Sequence, residues 1–340
     1  MRIVPIIALM ALLGVSACLS GQTRDENWKH CTDYSTYEND LNPDLQIGAC
    51  TALIQSGQET DQNLASEYFN RGGAYIQKKD MEDNDRSIQD FDQALRLNPS
   101  NAGAYEFRGL DYMNKKNFDL AIQDFGQAQR LDPNIFNPSF SSAFFFRGVD
   151  HLAKGEYDLA IQDFDQGLRL RPDMPEVPFD RGVAYLCLGQ FAAAQPDFAA
   201  TLKKNPSIAY VALFLYLAQS RAGQDGRSGL EQDAPQIKLT AWPGQVIDLY
   251  LGRATPAAIL SAASDPNPRT DQRQHSEAYF FLAEHALLEG RRTGAERLFQ
   301  QAIDTAVEKD PNYAWAQNPH YIVAKEELKL LRASQAKAAR

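Results

Sequence analysis

Four cysteines, five histidines and a recurring arginine–aspartate pattern are the features of this 340-residue chain that could do chemistry. Metal ligation is the first chemistry to weigh. His30, His151, His275, His285 and His320 form no His-x-x-x-His pair and no Cys/His cluster. His30 adjoins Cys31, yet no Cys-x-x-Cys or neighbouring His completes four ligands, so zinc is weakly supported. The same two cysteines, Cys31 and Cys50, suit a disulfide, which would close a loop of about 20 residues and contribute roughly 3 kcal/mol in the chain-entropy picture. Cys187 sits in the apolar run "AYLCLG", where a core thiol is expected. No Gly-x-Ser-x-Gly, phosphate loop or dinucleotide fingerprint occurs, and the plentiful carboxylates form no recognisable dyad. The expectation is a chain that is not an enzyme and needs no cofactor or metal.

Charge recurs in a fixed pattern. Arg71, Arg108, Arg147 and Arg181 each precede a Gly, and Asp90, Asp124, Asp163 and Asp197 each precede a Phe. One reading makes the arginines a ladder for an anionic ligand. The other pairs each Arg with an Asp of its own unit or the next, fixing helix register more than adding stability. Occurrence of both residues in all four units favours pairing. The formal net charge of -10 leaves no basic face for phosphates, which argues against nucleic acid and for protein or peptide partners.

These residues need elements to position them, and the elements repeat. "DLAIQDF" opens at both Asp119 and Asp158. Aligned on Phe91, Phe125, Phe164 and Phe198, a small residue lies four before (Ser87, Ala121, Ala160, Ala194) and another three after (Ala94, Ala128, Gly167, Thr201). This is one face of a 3.6-residue helix. Pro99, Pro133, Pro172 and Pro206 then end each unit, because proline cannot continue the helical hydrogen bonding. Upstream, the Arg-Gly phrase and an aromatic three residues on (Tyr75, Tyr112, Tyr185, with His151 in that place once) mark a first helix. Each unit is thus two antiparallel helices, close where one presents Gly or Ala and the Phe of the other fills the gap. Hydrophobic residues at 44% can supply such a core.

This spacing resembles the tetratricopeptide repeat. The resemblance implies an all-α, right-handed superhelical solenoid of antiparallel helix pairs. Four units fill 65–208 (65–101, 102–140, 141–174 and 175–208), and a further unit at 276–311 carries Ala283, Ala286, Gly290, Ala295, Phe299 and Ala302. Between them, 209–275 reads as a degenerate helical region with two short helices in "PGQVIDLYLGRATPAAILSAA". At 312–340 a closing helix from Tyr321 to Ala333 reads as a solvated cap. The segment 18–64 holds a lone capping helix at 43–56, pinned by Cys31–Cys50.

The resemblance further implies a concave face lined by the first helix of each pair. Carried over by offset, that face holds Phe69, Ile76, Glu106, Leu110, Met113, Phe145, Val149, Leu152, Phe179 and Leu186. It is largely apolar, and an exposed apolar surface of this extent marks a partner site. The competing reading packs these side chains against neighbouring helices or a protomer. Gly73, Leu110 and Val149 stand where some members place a carboxylate-clamp Asn, so binding of chaperone tails is not expected.

The first residues read as a signal. Arg2 is followed by an apolar run at 3–15, short for a membrane span, and by small residues. "VSAC" resembles a bacterial lipobox, which implies removal of 1–17, lipid on Cys18 and a membrane contact by that anchor alone. The rival outcome is ordinary cleavage near Ala17. Leu19, rather than Asp, follows Cys18, which implies an outer-membrane address. Either way the mature chain leaves the cytoplasm, where disulfides persist. Taken whole, the chain resembles bacterial tetratricopeptide lipoproteins of the new-lipoprotein-I type. The signal, the repeated units and the tail "PGQVIDLYLGRATP…AYFFLAEHALLEG" carry that likeness. It implies a scaffold or adaptor for envelope proteases or peptidoglycan hydrolases, with a homodimer as one possible state. The alternative is a structural assembly factor for outer-membrane protein or polysaccharide export.

Overall fold

The structure, a computed structural model, describes residues 22–32, 42–78, 81–135, 137–306 and 318–338. The signal segment 1–17 and Cys18 lie outside the described residues. Among the described residues there are α-helices and one short 3-10 turn, with no strand. No helix among them is long and apolar enough to cross a membrane. The chain divides into two compact units, residues 1–143 and 144–340.

In the first unit the helices are α1 (Arg24–Thr32), α2 (Pro43–Ser56), α3 (Asp61–Lys78), α4 (Met81–Leu97), α5 (Ala102–Asn114) and α6 (Phe118–Leu131). Helix α7 (Pro138–Lys154) begins here and continues into the second unit. Polar residues set the starts. The Asn42 side chain accepts from the Asp44 N–H ahead of Pro43, and Asn101 accepts from the Ala104 N–H. The helix at 43–56 is not alone, as the sequence reading has it: α1 and α3 both pack on it. Helix α1 was illegible because "RDENWKHCT" has no apolar period; it is held by the Cys31–Cys50 disulfide, Cα–Cα 4.9 Å.

The second unit holds α8 (Tyr157–Leu170), α9 (Val177–Cys187), α10 (Phe191–Lys204) and α11 (Ala209–Arg221). The short helices α12 (Gly226–Asp233), α13 (Gly244–Tyr250) and α14 (Pro256–Ala262) follow. It ends with α15 (Pro268–Leu288), α16 (Arg292–Thr305) and α17 (Pro319–Ala338). One contiguous core runs through it, from Leu152 and Phe164 to Leu328 and Leu331.

The repeated Gly and Phe meet within each pair. A Cβ added at Gly72, Gly109, Gly148 or Gly182 would lie 2.8–2.9 Å from the ring of Phe91, Phe125, Phe164 or Phe198 respectively. The four rings are at most 2% exposed. In the last three of these pairs the turn between the helices passes through a left-handed residue. Gly155 (φ 80°) and Gly189 (φ 69°) supply it, whereas Lys116 (φ 58°) does so with a side chain.

The closing helix departs from expectation. Helix α17 is not simply solvated: His320, Ile322, Val323, Ala324, Glu327, Leu328 and Leu331 are buried, and it packs on α9, α15 and α16. Its apolar residues recur at three and four, so one face is available for a core.

Candidate functional site

The arginine–aspartate pattern forms two-pronged ion pairs between the two helices of each unit. Arg71, Arg108, Arg147 and Arg181 donate through Nε and Nη2 to both carboxylate oxygens of Asp90, Asp124, Asp163 and Asp197, at 2.6–2.8 Å. The third nitrogen reaches a preceding element. Arg108 Nη1 donates to Asp92 at 2.6 Å, Arg181 Nη1 to Asp165 at 2.5 Å, and Arg71 Nη1 to the Thr51 hydroxyl at 3.0 Å. Asp92 and Asp165 stand two residues after Asp90 and Asp163, a spacing that could have been read from the sequence. Burial pushes the Asp90 and Asp124 carboxyls upward despite the facing guanidinium. At Asp90 and Asp124 desolvation thus outweighs the gain from pairing, while the same contacts raise the Arg71 and Arg108 guanidiniums. These arginines are committed to carboxylates, which leaves no anion ladder.

The expected groove residues scatter. In the first unit Phe69 and Ile76 pack against Phe91, Leu95 and Ala104, and Leu110 and Met113 pack against Ala121 and Phe125. Glu106 is half-buried, accepts from Asn137 Nδ2 at 2.9 Å, and is pushed upward by that burial. Leu152 and Leu186, expected on the concave face, are 1% and 5% exposed and belong to the core of the second unit. The reason is α17, which lies against α9 and covers positions that an unclosed helix pair would leave open. Cys187 is buried beside them, and burial pushes its thiol upward, so it is unreactive.

Three of the expected residues converge with others on one site. Phe145, Val149 and Phe179 line a cavity of about 540 Å³ in the second unit. That volume is in the range of small-ligand or side-chain pockets. Helix α7 contributes Phe145, Phe146 and Val149; α9 and the turn before it contribute Pro175 and Phe179. Phe146 is 42% exposed, so a large apolar side chain at the cavity stays in contact with water. Ile208 and Tyr210 at the start of α11 form another wall, with Pro319 and His320 of α17.

The polar groups in this cavity differ in how far they are satisfied. Glu277 of α15 is 4% exposed and accepts from Tyr210 Oη at 2.6 Å, Trp242 Nε1 at 2.5 Å and Arg273 Nη1 at 3.0 Å. The Arg273–Glu277 charges are therefore balanced in place. His320 is packed among Phe214, Phe280, Phe281 and Tyr210, ring centroids 5.1–5.4 Å away, and its Nε2 has no partner among the described residues. Burial lowers it to about 4, so it is neutral at pH 7. Asp180, in the first turn of α9, also lines the cavity and has no hydrogen bond or ion pair among the described residues. Burial, then the neighbouring Glu176, pushes it up to about 7. The sequence does not single out Asp180, Tyr210, Arg273 or Glu277, and raises His320 only as a metal ligand; the five stand outside the repeat offsets and meet only in three dimensions. Among the described residues no three His, Cys, Asp or Glu side chains gather in a metal-holding cluster.

The tetratricopeptide-repeat family profile matches residues 78–134 and 108–175. No curated protein matches the chain. Among solved structures, the chain is similar to YrrB, described as a TPR protein with an unusual peptide-binding site. The two are 20% identical over 61% of this chain and 100% of that one, with a TM-score of 0.40. It is similar also to the C-terminal part of a TPR repeat-containing protein from Cytophaga hutchinsonii, at 17% identity over 82% and 94% of the two chains and a TM-score of 0.42. For MamA the values are 18%, 51% and 91%, and 0.37. The profile matches, within 78–175, take in the Gly109–Phe125 and Gly148–Phe164 helix pairs and their Arg108–Asp124 and Arg147–Asp163 ties, so that stretch is built on tetratricopeptide repeats.

Proposed function

We propose that the chain is a non-catalytic scaffold that takes a peptide segment of a partner protein into the cavity of its second unit. The observation that carries this reading is the cavity itself, about 540 Å³ and walled by Phe145, Phe146, Val149 and Phe179. Aromatic and aliphatic walls with few polar groups gain most from removing an apolar side chain from water, at about 25 cal/mol per Å². Phe146 at 42% exposure gives the test a residue whose loss spares the core. Peptides retained by the full chain are expected to bind at least tenfold more weakly to Phe146→Ser, with an unchanged circular dichroism melt. Retention that ignores this substitution overturns the reading. So does hydrolase activity of the purified chain that a single point substitution abolishes.

The same proposal places the chain in the cell envelope, anchored by lipid on Cys18. The apolar run at 3–15 with "VSAC" and the buried Cys31–Cys50 disulfide both support this, since disulfides persist outside the reducing cytoplasm. Envelope proteases and peptidoglycan hydrolases are the partners that the resemblance suggests. Intact-mass analysis of the chain from its native cell tests the address: a mature N-terminus at a lipid-modified Cys18 is expected, and retention of Met1 refutes export.

A further inference from the structure

The charges around the cavity bear on what a bound peptide must carry. Four charged side chains line it: Glu176, Asp180, Arg273 and Glu277. Arg273 and Glu277 answer each other at 3.0 Å, and Glu277 is further held by Tyr210 and Trp242. Glu176 lies 3.7 Å from Arg171 and its side chain is 43% exposed, so it sits at the rim in contact with water. Asp180 alone faces the cavity with no ion pair or hydrogen bond among the described residues. The neutral His320 adds no positive charge.

A carboxylate in an apolar recess is costly unless a cation joins it. The position of Asp180 in the first turn of α9 favours its charge through the helix dipole, yet burial and Glu176 oppose it more strongly. An incoming ammonium or guanidinium would relieve this at the moment that an apolar neighbour fills the aromatic walls. An incoming carboxylate would meet Asp180 and Glu176 with no free cation to offset them.

Resting on the peptide-site reading, we infer that the partner segment presents a Lys or Arg flanked by bulky apolar residues, its cation paired with the Asp180 carboxylate and its apolar side chains against Phe145, Phe146 and Phe179. Asp180 is then the residue that sets specificity, and the aromatic walls supply the general affinity.

The test uses three pools of capped nonapeptides whose flanks are randomised over Leu, Ile, Phe, Ser and Thr. The central residue is Lys, norleucine or Glu, and retention on the immobilised full chain is measured. The Lys pool is expected to be retained about tenfold or more over the norleucine pool, the gain of one charge-assisted contact, and the Glu pool least of all. Asp180→Asn should abolish the preference for Lys over norleucine, with an unchanged circular dichroism melt showing that the fold is intact. Asp180→Lys should reverse the order toward the Glu pool. Equal retention of Lys and norleucine by the unaltered chain overturns the charge inference and leaves the peptide site standing. No pool retained above the level of Phe146→Ser overturns both. A dimer in sedimentation that Phe146→Ser dissociates would make a second copy the occupant and likewise overturn the inference.

Discussion

Gly72 and Gly73 are neighbours on α3, and replacing each by Ala should move stability in opposite directions. A Cβ at Gly73 meets nothing within 4 Å, whereas one at Gly72 lies 2.9 Å from Phe91 Cε1 and 3.0 Å from Cζ. Both substitutions gain the same helix propensity, about 1 kcal/mol for Gly to Ala in a helix interior. Gly73→Ala should therefore stabilise by about 0.5–1 kcal/mol. At Gly72 the ring must retreat by roughly 0.5 Å to reach ordinary contact, a small overpacking that costs about 1–3 kcal/mol where the ring has nowhere to go. Phe91 is 0% exposed and lies 5.9 Å from the Phe69 ring and 6.1 Å from that of Phe107, so retreat pushes on both. Because propensity cancels between the two variants, their difference isolates the clash at about 1–3 kcal/mol. Urea unfolding followed by circular dichroism reads it as a separation of midpoints at equal slope. Phe91→Leu added to Gly72→Ala should recover more than about 1 kcal/mol relative to additivity. If Gly72→Ala stabilises as much as Gly73→Ala, the Gly–Phe contact is not what sets the helix separation.

Three other outcomes follow from buried charge. Arg147→Glu and Asp163→Arg should each lose about 2–4 kcal/mol, because each leaves a like charge facing a side chain that is 27% or 6% exposed, and the double exchange should recover at least about 1 kcal/mol in urea melts. Glu67 is 0% exposed, neither oxygen has a partner among the described residues, and burial followed by Glu59 pushes it up to about 7. Since its folded value lies above the unfolded one near 4.5, its stabilising protonation is complete below about pH 4.5 and is lost as pH rises through about 7. Glu67→Gln should remove that slope and gain roughly 2–3 kcal/mol at pH 8, measured as a pH series of urea midpoints. Arg221 bridges Glu284 at 3.0 Å and Glu327 at 2.9 Å, whose side chains are 3% and 8% exposed, so Arg221→Met should cost about 3–5 kcal/mol at pH 8. Both carboxyls are raised, first by burial, so the loss should shrink toward pH 5 as they protonate; a pH-independent loss in thermal melts would count against the buried triad.

The repeat was legible because everything that defines it is local. Gly148 and Phe164 lie sixteen residues apart, within one helix pair, and the period of 3.6 puts the small residues at i-4 and i+3 on the face of the Phe. Arg147 and Asp163 share that separation, so co-occurrence in each unit was enough to suggest pairing. The cavity was not legible for the opposite reason. Tyr210 meets Glu277 across 67 positions and Trp242 meets it across 35, and neither distance is a multiple of any motif. The residue offsets even misdirect here. Leu152 and Leu186 occupy groove positions by count, yet Leu186 on α9 is sealed by a helix that begins at Pro319.

That helix links the failed expectation to the candidate site. An open pair of helices exposes the inner face of α9, and a cap of low apolar content would leave it so. Helix α17 instead has Ile322, Val323, Leu328 and Leu331 on its buried face, and docking them against α9, α15 and α16 removes Leu186 from the surface. The same docking brings Asn318, Pro319 and His320 opposite Phe179 and Asp180. His320 is then held by Phe214, Phe280 and Phe281, which are each 0% exposed, so the wall it forms is as rigid as the core behind it. Closing the array and building the pocket are thus one packing event. An apolar groove is exchanged for a recess in which the partly buried Asp180 carboxylate has no partner among the described residues, and selectivity of the kind inferred for Asp180 gains from that exchange, because a cation gains little from meeting a carboxylate fully in water.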